Sequence, residues 1–332
     1  MLPLRRVARA VLRHGATVRT KLGLQPTERR PTSLSSEGSA TPLSFGDLVG
    51  ARAEWLFQNL PPASAHYHHD IHAKQKQKRL AKRLGLEVAQ DYLLNAPLAQ
   101  AIRYIGQSHL ERFVIKPNHS KSAIGCRCVI SEEGAFRDLR TGQQYDDLER
   151  LQHDVFREYA KLKRPDKWNV EELLMPVDGS VGLIEDYKLY CFAGRVELIL
   201  HKQPLGSAQE TYNRIYTRDW TPVNVGLEDQ DDVIVEAPIN GARLVQVAEY
   251  ASSRLCYPFI RIDLYDTSRG IVLGEFTPGP GRAHDFNAEW DERMSTRWVE
   301  AASRLKEGIR AGNIQPLHPE PKEELMQNTS AR

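Results

Sequence analysis

The sequence predicts an α+β protein of two or three lobes, and three observations carry that expectation. With 332 residues and 41% hydrophobic composition, the chain can bury a full core in more than one lobe. Short stretches with apolar residues at period two are mixed along it with longer stretches at period 3.6. A Pro/Gly connection at residues 175–180 reads as a seam between lobes. The formal net charge of +2 gives no polyelectrolyte character and points away from nucleic acid as a partner. Four cysteines, two of them in Cys126-Arg-Cys128, make neither a disulfide scaffold nor a zinc spacing, so a reducing compartment is expected. No apolar run reaches the ~18 residues that a membrane helix needs.

Residues 1–30 carry Arg5, Arg6, Arg9, Arg13, Arg19 and Lys21 with no acid before Glu28, and Leu4, Val7, Ala8, Val11 and Leu12 recur at helical spacing. A basic amphipathic helix on anionic lipid, a transit peptide and a solvated tail all fit this pattern. Residues 26–44, rich in Pro, Ser and Thr, read as linker. A helix is expected over 47–60, with Leu48, Trp55, Leu56 and Leu60 on one stripe and Pro61-Pro62 at its end. The His66-Tyr-His-His-Asp-Ile-His72 cluster offers metal-ligand residue types, but equally reads as a surface helix start. A basic helix over 74–84 closes at Gly85, and another short helix spans 97–106. Residues 112–118 (RFVIKPN) form a strand that runs into the polar loop His119–Gly125, followed by a strand over 126–131. Such a loop can fold over phosphates through its N–H groups, although it lacks the P-loop spacing. Tyr145, Leu148, Leu151, Val155, Tyr159 and Leu162 predict a core-facing helix. NVEELL at 169–174 is a strand, and residues 183–192 and 195–202 form a hairpin in which Asp186, Lys188 and Tyr190 share a face. Residues 203–240 are turn-rich, helices follow over 243–255 and 289–309, and the last twenty residues are polar and Pro-rich.

Residues 258–282 (PFIRIDLYDTSRGIVLGEFTPGPGR) read as two strands about the turn 266–270. Closed symmetrically, that hairpin sets Asp263 opposite Glu275, with Arg261 on the same face. Two carboxylates at ~4 Å repel by about 4 kcal/mol at an effective dielectric near 20, so a cation must offset them. Arg261 and a hard divalent ion such as Mg²⁺ are the two candidates, and an ordinary hairpin with a surface ion pair is the plainer account.

In chain order FVIKP, a polar loop, a long helix, VEELL, a seam, EDYKLYCFAG and RIDLYD–turn–GEFTPGPG resemble the ATP-grasp superfamily, and within it the TupA-like group associated with cell-surface polymer synthesis. The resemblance covers roughly residues 66–300. It implies the ATP-grasp fold, with two α+β lobes holding the nucleotide between their sheets and a reduced N-terminal region. The expected layout is a basic tail and linker (1–44), a helical region (45–110), a small lobe (111–175), a large lobe (176–312) and a disordered tail (313–332). Lys116 then corresponds to the lysine that reaches the α- and β-phosphates, and Ser120, Lys121, Ser122 and Gly125 to the loop that closes over the nucleotide. Lys74 is similar to an earlier nucleotide-contacting lysine, with Ala73 where the family usually has Asp. Glu171, Glu172, Leu173 and Leu174 resemble the adenine-holding segment, and Asp186 is grouped with the nucleotide contacts. Asp263 and Glu275 stand where the magnesium carboxylates do, Arg261 where a γ-phosphate arginine does, and Thr277 where the superfamily commonly has Asn. Lys188 and Arg214 suit an acceptor's carboxylate or the transition state; Lys188 equally suits a pair with Asp186, and Arg214 a surface turn.

The resemblance implies an ATP- and Mg²⁺-dependent carboxylate–amine ligase acting on small-molecule or polymer-linked substrates, in the cytoplasm. A peripheral membrane contact is expected through residues 1–25. A phosphotransferase of the same fold and a non-catalytic nucleotide-binding scaffold are the alternatives. The oligomeric state is not readable from these residues.

Overall fold

The computed structural model describes residues 43–318 except 119–123, 133, 162–163, 206, 232–236, 282 and 284, and not the side chains of 72, 74, 205 and 207–210. The amino-terminal segment with its expected membrane contact therefore lies outside the described residues, as do loop residues Ser120, Lys121 and Ser122 and the side chain of Lys74.

Helix α1 (Phe45–Gly50) starts at a capping box in which Ser44 Oγ accepts from Asp47 N at 3.1 Å and the Asp47 carboxylate accepts from Ser44 N at 3.3 Å. The single helix expected over 47–60 is divided at Ala51, so α2 (Arg52–Asn59) is separate. Helix α3 (Pro62–His69) begins on a proline, whose missing N–H is no loss in a first turn. Helix α4 (Lys74–Arg83) closes before Gly85, which takes φ +69°. Strands β1 (Glu87–Val88) and β2 (Asp91–Ala96) precede α5 (Leu98–Gln107). Strands β3 (Arg112–Pro117), β4 (Arg127–Glu132), β5 (Ala135–Asp138) and β6 (Gln144–Tyr145) lead into α6 (Leu148–Ala160), and β7 (Trp168–Glu171) ends this lobe. Then come β8 (Asp186–Cys191), β9 (Val196–Leu205), β10 (Ser207–Thr217), α7 (Gly241–Arg254), β11 (Ile260–Thr267), β12 (Gly270–Thr277) and α8 (Ala288–Arg310).

Two six-stranded sheets result, ordered β2-β7-β3-β4-β5-β6 in the small lobe and β1-β12-β11-β8-β9-β10 in the large one. In the small core, Ile105 of α5 and Leu151 and Val155 of α6 meet Phe113 and Trp168. The large core joins Phe45, Trp55 and Leu56 to Leu189, Phe259, Ile262, Phe276 and Trp298.

Residues 45–110 are therefore not a region of their own. Helices α1–α4 bury their apolar stripes against the large sheet, β1 pairs in parallel with β12, and β2 and α5 complete the small lobe. Strand β10 fills part of the stretch read as turns, because its run of polar residues hides the alternation. The expected tail from 313 also differs: Ile314 and Leu317 pack on the large core and Arg83 donates to His318 O at 3.2 Å. Gly308 makes this possible, since a Cβ there would sit 2.5 Å from Ile314.

The histidine cluster resolves into packing. His66 and His69 meet the Phe57 ring at 5.0 and 5.7 Å, and His68 is buried edge-on to Tyr257. Among the described residues no group of three or more His, Cys, Asp or Glu is placed to hold a metal. Neither ring nitrogen of His68 has a partner, and burial, with Lys76 nearby, pushes its pKa down to about 4. The unfolded chain takes up this proton near pH 6.5 and the folded chain only near 4. The stability that neutral His68 confers is thus complete above pH 6.5 and lost as pH falls towards 4, by about 3 kcal/mol. His68→Leu should remove that part of the acid sensitivity, which urea unfolding at pH 7 and pH 4.5 would read; an unchanged difference between the two pH values would refute this account.

Candidate active site

Hairpin β11–β12 sets Asp263 opposite Glu275 and Arg261 opposite Thr277, while on its other side Asp263 opposes Lys188 and Arg261 opposes Tyr190. Directly opposed residues share a face, so Glu275, Asp263 and Lys188 form one row and Thr277, Arg261 and Tyr190 the next. The hairpin does not close symmetrically. A bulge after Asp263 pairs Leu264 with Leu273 and leaves Gly274 extra. Gly274 has to lack a side chain, because a Cβ would lie 2.7 Å from the Tyr265 ring.

Asp263 is buried and takes three charge-assisted bonds: Arg261 Nε at 2.7 Å, Arg261 Nη2 at 2.8 Å and Lys188 Nζ at 2.7 Å. Lys188 also reaches Asp186 Oδ2 at 2.5 Å. Burial works against the Lys188 ammonium, but Asp263 and Asp186 outweigh it and hold its pKa above the usual lysine value. Arg261 behaves in the same way, raised by Asp263 against its own burial. Its Nη2 also donates to Thr277 Oγ1 at 3.2 Å, so Thr277 steadies the arginine. Glu275 stands at the exposed rim of its row.

The small lobe carries a second buried carboxylate. Glu171 of β7 accepts from Lys116 Nζ of β3 and, at 3.0 Å, from Lys78 Nζ of α4. Lys78 uses its remaining donors on Asp91 Oδ1 at 2.5 Å and Ala89 O at 3.0 Å. Burial alone would raise the Glu171 pKa, yet Lys116 and Lys78 bring it below the usual glutamate value. Next to Lys116, the Cys126 thiol is drawn down to about 7 by the hydrogen bond from Cys128, against burial and with help from Arg140 and Lys116. Gly125, at φ +74°, packs against Pro117 and Trp168, where a side chain would be strained.

Tyr265 lies where the two faces meet. Burial raises its phenol well above the ordinary tyrosine value, and the acids acting on it are Asp186 and Asp263 of one lobe and Glu171 of the other. The hairpin turn secures this approach. Arg269 donates to Glu87 at 3.0 Å, Val88 O at 2.9 Å and Glu172 at 2.9 Å, and Ser268 N donates to Met175 O at 3.2 Å. Glu172 is thereby held in an interlobe clasp, and Leu173 and Leu174 are buried at the seam.

The structure thus brings Lys116 and Glu171 together in the small lobe, with Gly125 packed against Pro117 of the same strand as Lys116, and gathers Asp186, Lys188, Arg261, Asp263 and Glu275 on one face of the large sheet. It does not bring Arg214 there. Arg214 opposes His201, which opposes Tyr187, so it occupies the reverse face of the large sheet, where it stacks on Tyr212 at 4.9 Å and donates to Gln203 at 2.8 Å. Ile215, not Arg214, aligns with Lys188 through Leu200, and that one-residue offset puts Arg214 on the opposite face. Sequence reasoning missed Lys78 and Tyr265. The first follows Lys74 by one helical turn, a spacing that could have marked it. Gly279 lies against Arg52, with the guanidinium carbon 2.9 Å from where a Cβ would be. Asp263 and Glu275 present only oxygen donors, which suits Mg²⁺ when phosphate oxygens complete its shell.

A family model described as TupA-like ATPgrasp matches residues 73–298. No curated protein matches the chain. Among solved structures, D-alanyl-alanine synthetase A from Vibrio cholerae is similar at 15% identity and TM-score 0.42, covering 79% of this chain and 72% of that one. The D-Ala:D-Ser ligase VanG from Enterococcus faecalis gives 15% and 0.42, with 79% and 68% covered. The ATP-grasp ligase PsnB complexed with a minimal precursor gives 14% and 0.40, with 77% and 69% covered.

Because Asp263 is the carboxylate that bonds Arg261 and shares Lys188, Asp263→Asn should destabilise the fold by about 3 kcal/mol in urea titration. A loss below about 1 kcal/mol would mean that the cluster is solvated like a surface pair.

Proposed function

The chain belongs to the TupA-like ATP-grasp family, and from that premise we propose that it is an ATP- and Mg²⁺-dependent ligase that activates a carboxylate as its acylphosphate and joins it to an amine. The observation that carries the reading is the facing pair of charge clusters: Lys116 and Lys78 around Glu171, and Lys188 and Arg261 around Asp263. Each cluster holds fixed cations over a buried carboxylate, an arrangement ready to receive a polyanion without reorganising.

Residues 171–174 offer the adenine a dry seam, with Leu173 and Leu174 buried beside it. Lys116 and Lys78, both held by Glu171, would serve the α- and β-phosphates. Arg261 and Lys188 stabilise the γ-phosphoryl group as a carboxylate oxygen of the acid attacks its phosphorus and the bond to the β-phosphate oxygen breaks, releasing ADP. Asp263 and Glu275 would hold Mg²⁺, which supplies the charge that neutralises the β/γ-phosphates. The amine then attacks the acyl carbon and inorganic phosphate leaves. Tyr265 and the Arg269 clasp keep the lobes together and exclude water from the mixed anhydride. Surface-polymer assembly as the setting rests on what the TupA-like group is associated with. Among the described residues no helix is long and apolar enough to cross a membrane.

Mg²⁺-ATP at about 100 times its Kd should stabilise the native chain by about 2.7 kcal/mol in thermal unfolding. Lys116→Met should abolish most of that shift, and an undiminished shift would remove Lys116 from the site. Iodoacetamide labelling of Cys126 should be half-maximal near pH 7 and slowed by Mg²⁺-ATP; labelling indifferent to the nucleotide would place the triphosphate elsewhere. With hydroxylamine as the amine, turnover of a panel of acids should yield hydroxamates. Phosphorylated product without hydroxamate would instead establish transfer to a hydroxyl.

A further inference from the structure

Cys126, just before β4, and Cys128 within it stand two residues apart, so their side chains share one face of the small sheet. That face also carries Lys116. Cys128 pairs with Val114 of β3, and the next like-facing step of the same register brings Cys126 to Lys116. Cys128 packs against the apolar cluster that contains Leu173 of the seam. Both thiols are free, both residues are partly exposed, and the two sulfurs are in hydrogen-bond contact.

The two thiols differ in their surroundings. Cys126 faces the cations Lys116 of β3 and Arg140 just after β5, with Glu171 of β7 opposing them, and Arg140 Nη1 donates to Cys126 O at 2.8 Å. Cys128 instead lies near Asp138, whose Oδ1 accepts from Cys128 N at 3.0 Å, and its hydrogen bond to Cys126 and its burial hold its proton in place. A thiolate among cations is a nucleophile, and a second thiol within reach can resolve its oxidised form. The other two cysteines lack this setting: burial pushes Cys191 and Cys256 up, Cys256 to about 11. Two strand steps set the Cα atoms of residues 126 and 128 about 6.6 Å apart, inside the ~6.8 Å that a disulfide spans. Cys126 precedes the first paired residue of β4, so it can turn towards Cys128 without breaking a ladder pair.

We propose that Cys126 and Cys128 are a reversible oxidation site, at which a peroxide closes a disulfide on the cleft face, and that this bridge and a triphosphate on Lys116 exclude one another. In the first step the Cys126 sulfur attacks one oxygen of hydrogen peroxide and the O–O bond breaks. The thiol proton leaves with the other oxygen as water. The Cys128 sulfur then attacks the sulfenic sulfur, the S–O bond breaks, and the Cys128 proton leaves with the hydroxyl as a second water. The two sulfurs together give up two electrons, which reduce the peroxide. A nucleotide on Lys116 covers Cys126, and by reciprocity a bridge that forms only without nucleotide weakens its binding. The exclusion rests on the ligase reading above; the oxidation site does not.

The test is stoichiometric hydrogen peroxide on the full chain, read by intact mass and peptide mapping. The native chain should become lighter by two hydrogens, with the bridge mapped to Cys126 and Cys128 and reversed by dithiothreitol. Cys128→Ser should stop at a sulfenic acid on Cys126, which dimedone traps, and Cys126→Ser should give neither product. An unchanged mass, or a bridge between two chains, overturns the proposal on the native chain alone, whatever the folding of the variants. Mg²⁺-ATP at about 100 times its Kd leaves about 1% of the chain free and should slow bridging about 100-fold. A rate unchanged by nucleotide that does bind overturns the exclusion. Bridging without any Mg²⁺-ATP stabilisation removes the nucleotide reading and leaves the oxidation site standing. Stabilisation without bridging does the reverse.

Discussion

A carboxylate removed from water must be matched by cations, and the cleft is arranged around two that are. Asp263 in the large lobe and Glu171 in the small lobe are both buried, and each takes charge-assisted bonds from two basic residues: Arg261 of the same strand and Lys188 of β8 for Asp263, Lys116 of β3 and Lys78 of α4 for Glu171. The strands, the bulge and helix α4 are positioned so that these bonds can form. Breaking any one partner would leave a desolvated charge, so the geometry of the clusters is held tightly. The same rigidity fixes Lys188, Arg261, Lys116 and Lys78 in place, as the proposed function requires.

The lobes are joined by more than the seam. The β11–β12 turn, itself part of the hairpin that carries Asp263 and Glu275, reaches across through Arg269 to Glu87 and Glu172 and through Ser268 to Met175. Movement of the β11–β12 hairpin and movement of residues 171–174 are therefore coupled through one short turn. Tyr265 adds a half-buried ring between the faces, admitted by the missing side chain of Gly274. The reverse face of the large sheet is distinct. Tyr187, His201 and Arg214 make a polar layer there, with His201 bonded to Glu185 at 3.0 Å.

Much of this was legible in the sequence because it depends on period and local spacing. Alternation in RIDLYD and DYKLY placed Arg261 with Asp263 and Asp186 with Lys188, and helical stripes located α6, α7 and α8 to within a few residues. The opposition of Asp263 and Glu275 depends on the bulge, because the register of Leu264 and Leu273 continued by one step would set Gly274 opposite Asp263, and no local signal records the extra residue. Strands β2 and β10 escaped notice because polar residues interrupt their alternation, and tertiary pairing supplies what propensity lacks.

Local chemistry along the chain determined which residues carry charge, which strands expose them and which turn joins the central hairpin. Only the tertiary structure decided which charges meet. Arg214 and Lys188 are close in sequence pattern but lie on opposite faces, because strand register across β8, β9 and β10 sets the face and no local signal records it. Lys78 reached Glu171 because α4, packed against β1 and β12 of the large lobe, sends its ammonium across to Asp91 of β2 and Glu171 of β7, residues far apart in the chain. The hairpin at 258–282 announced the site; long-range pairing completed it.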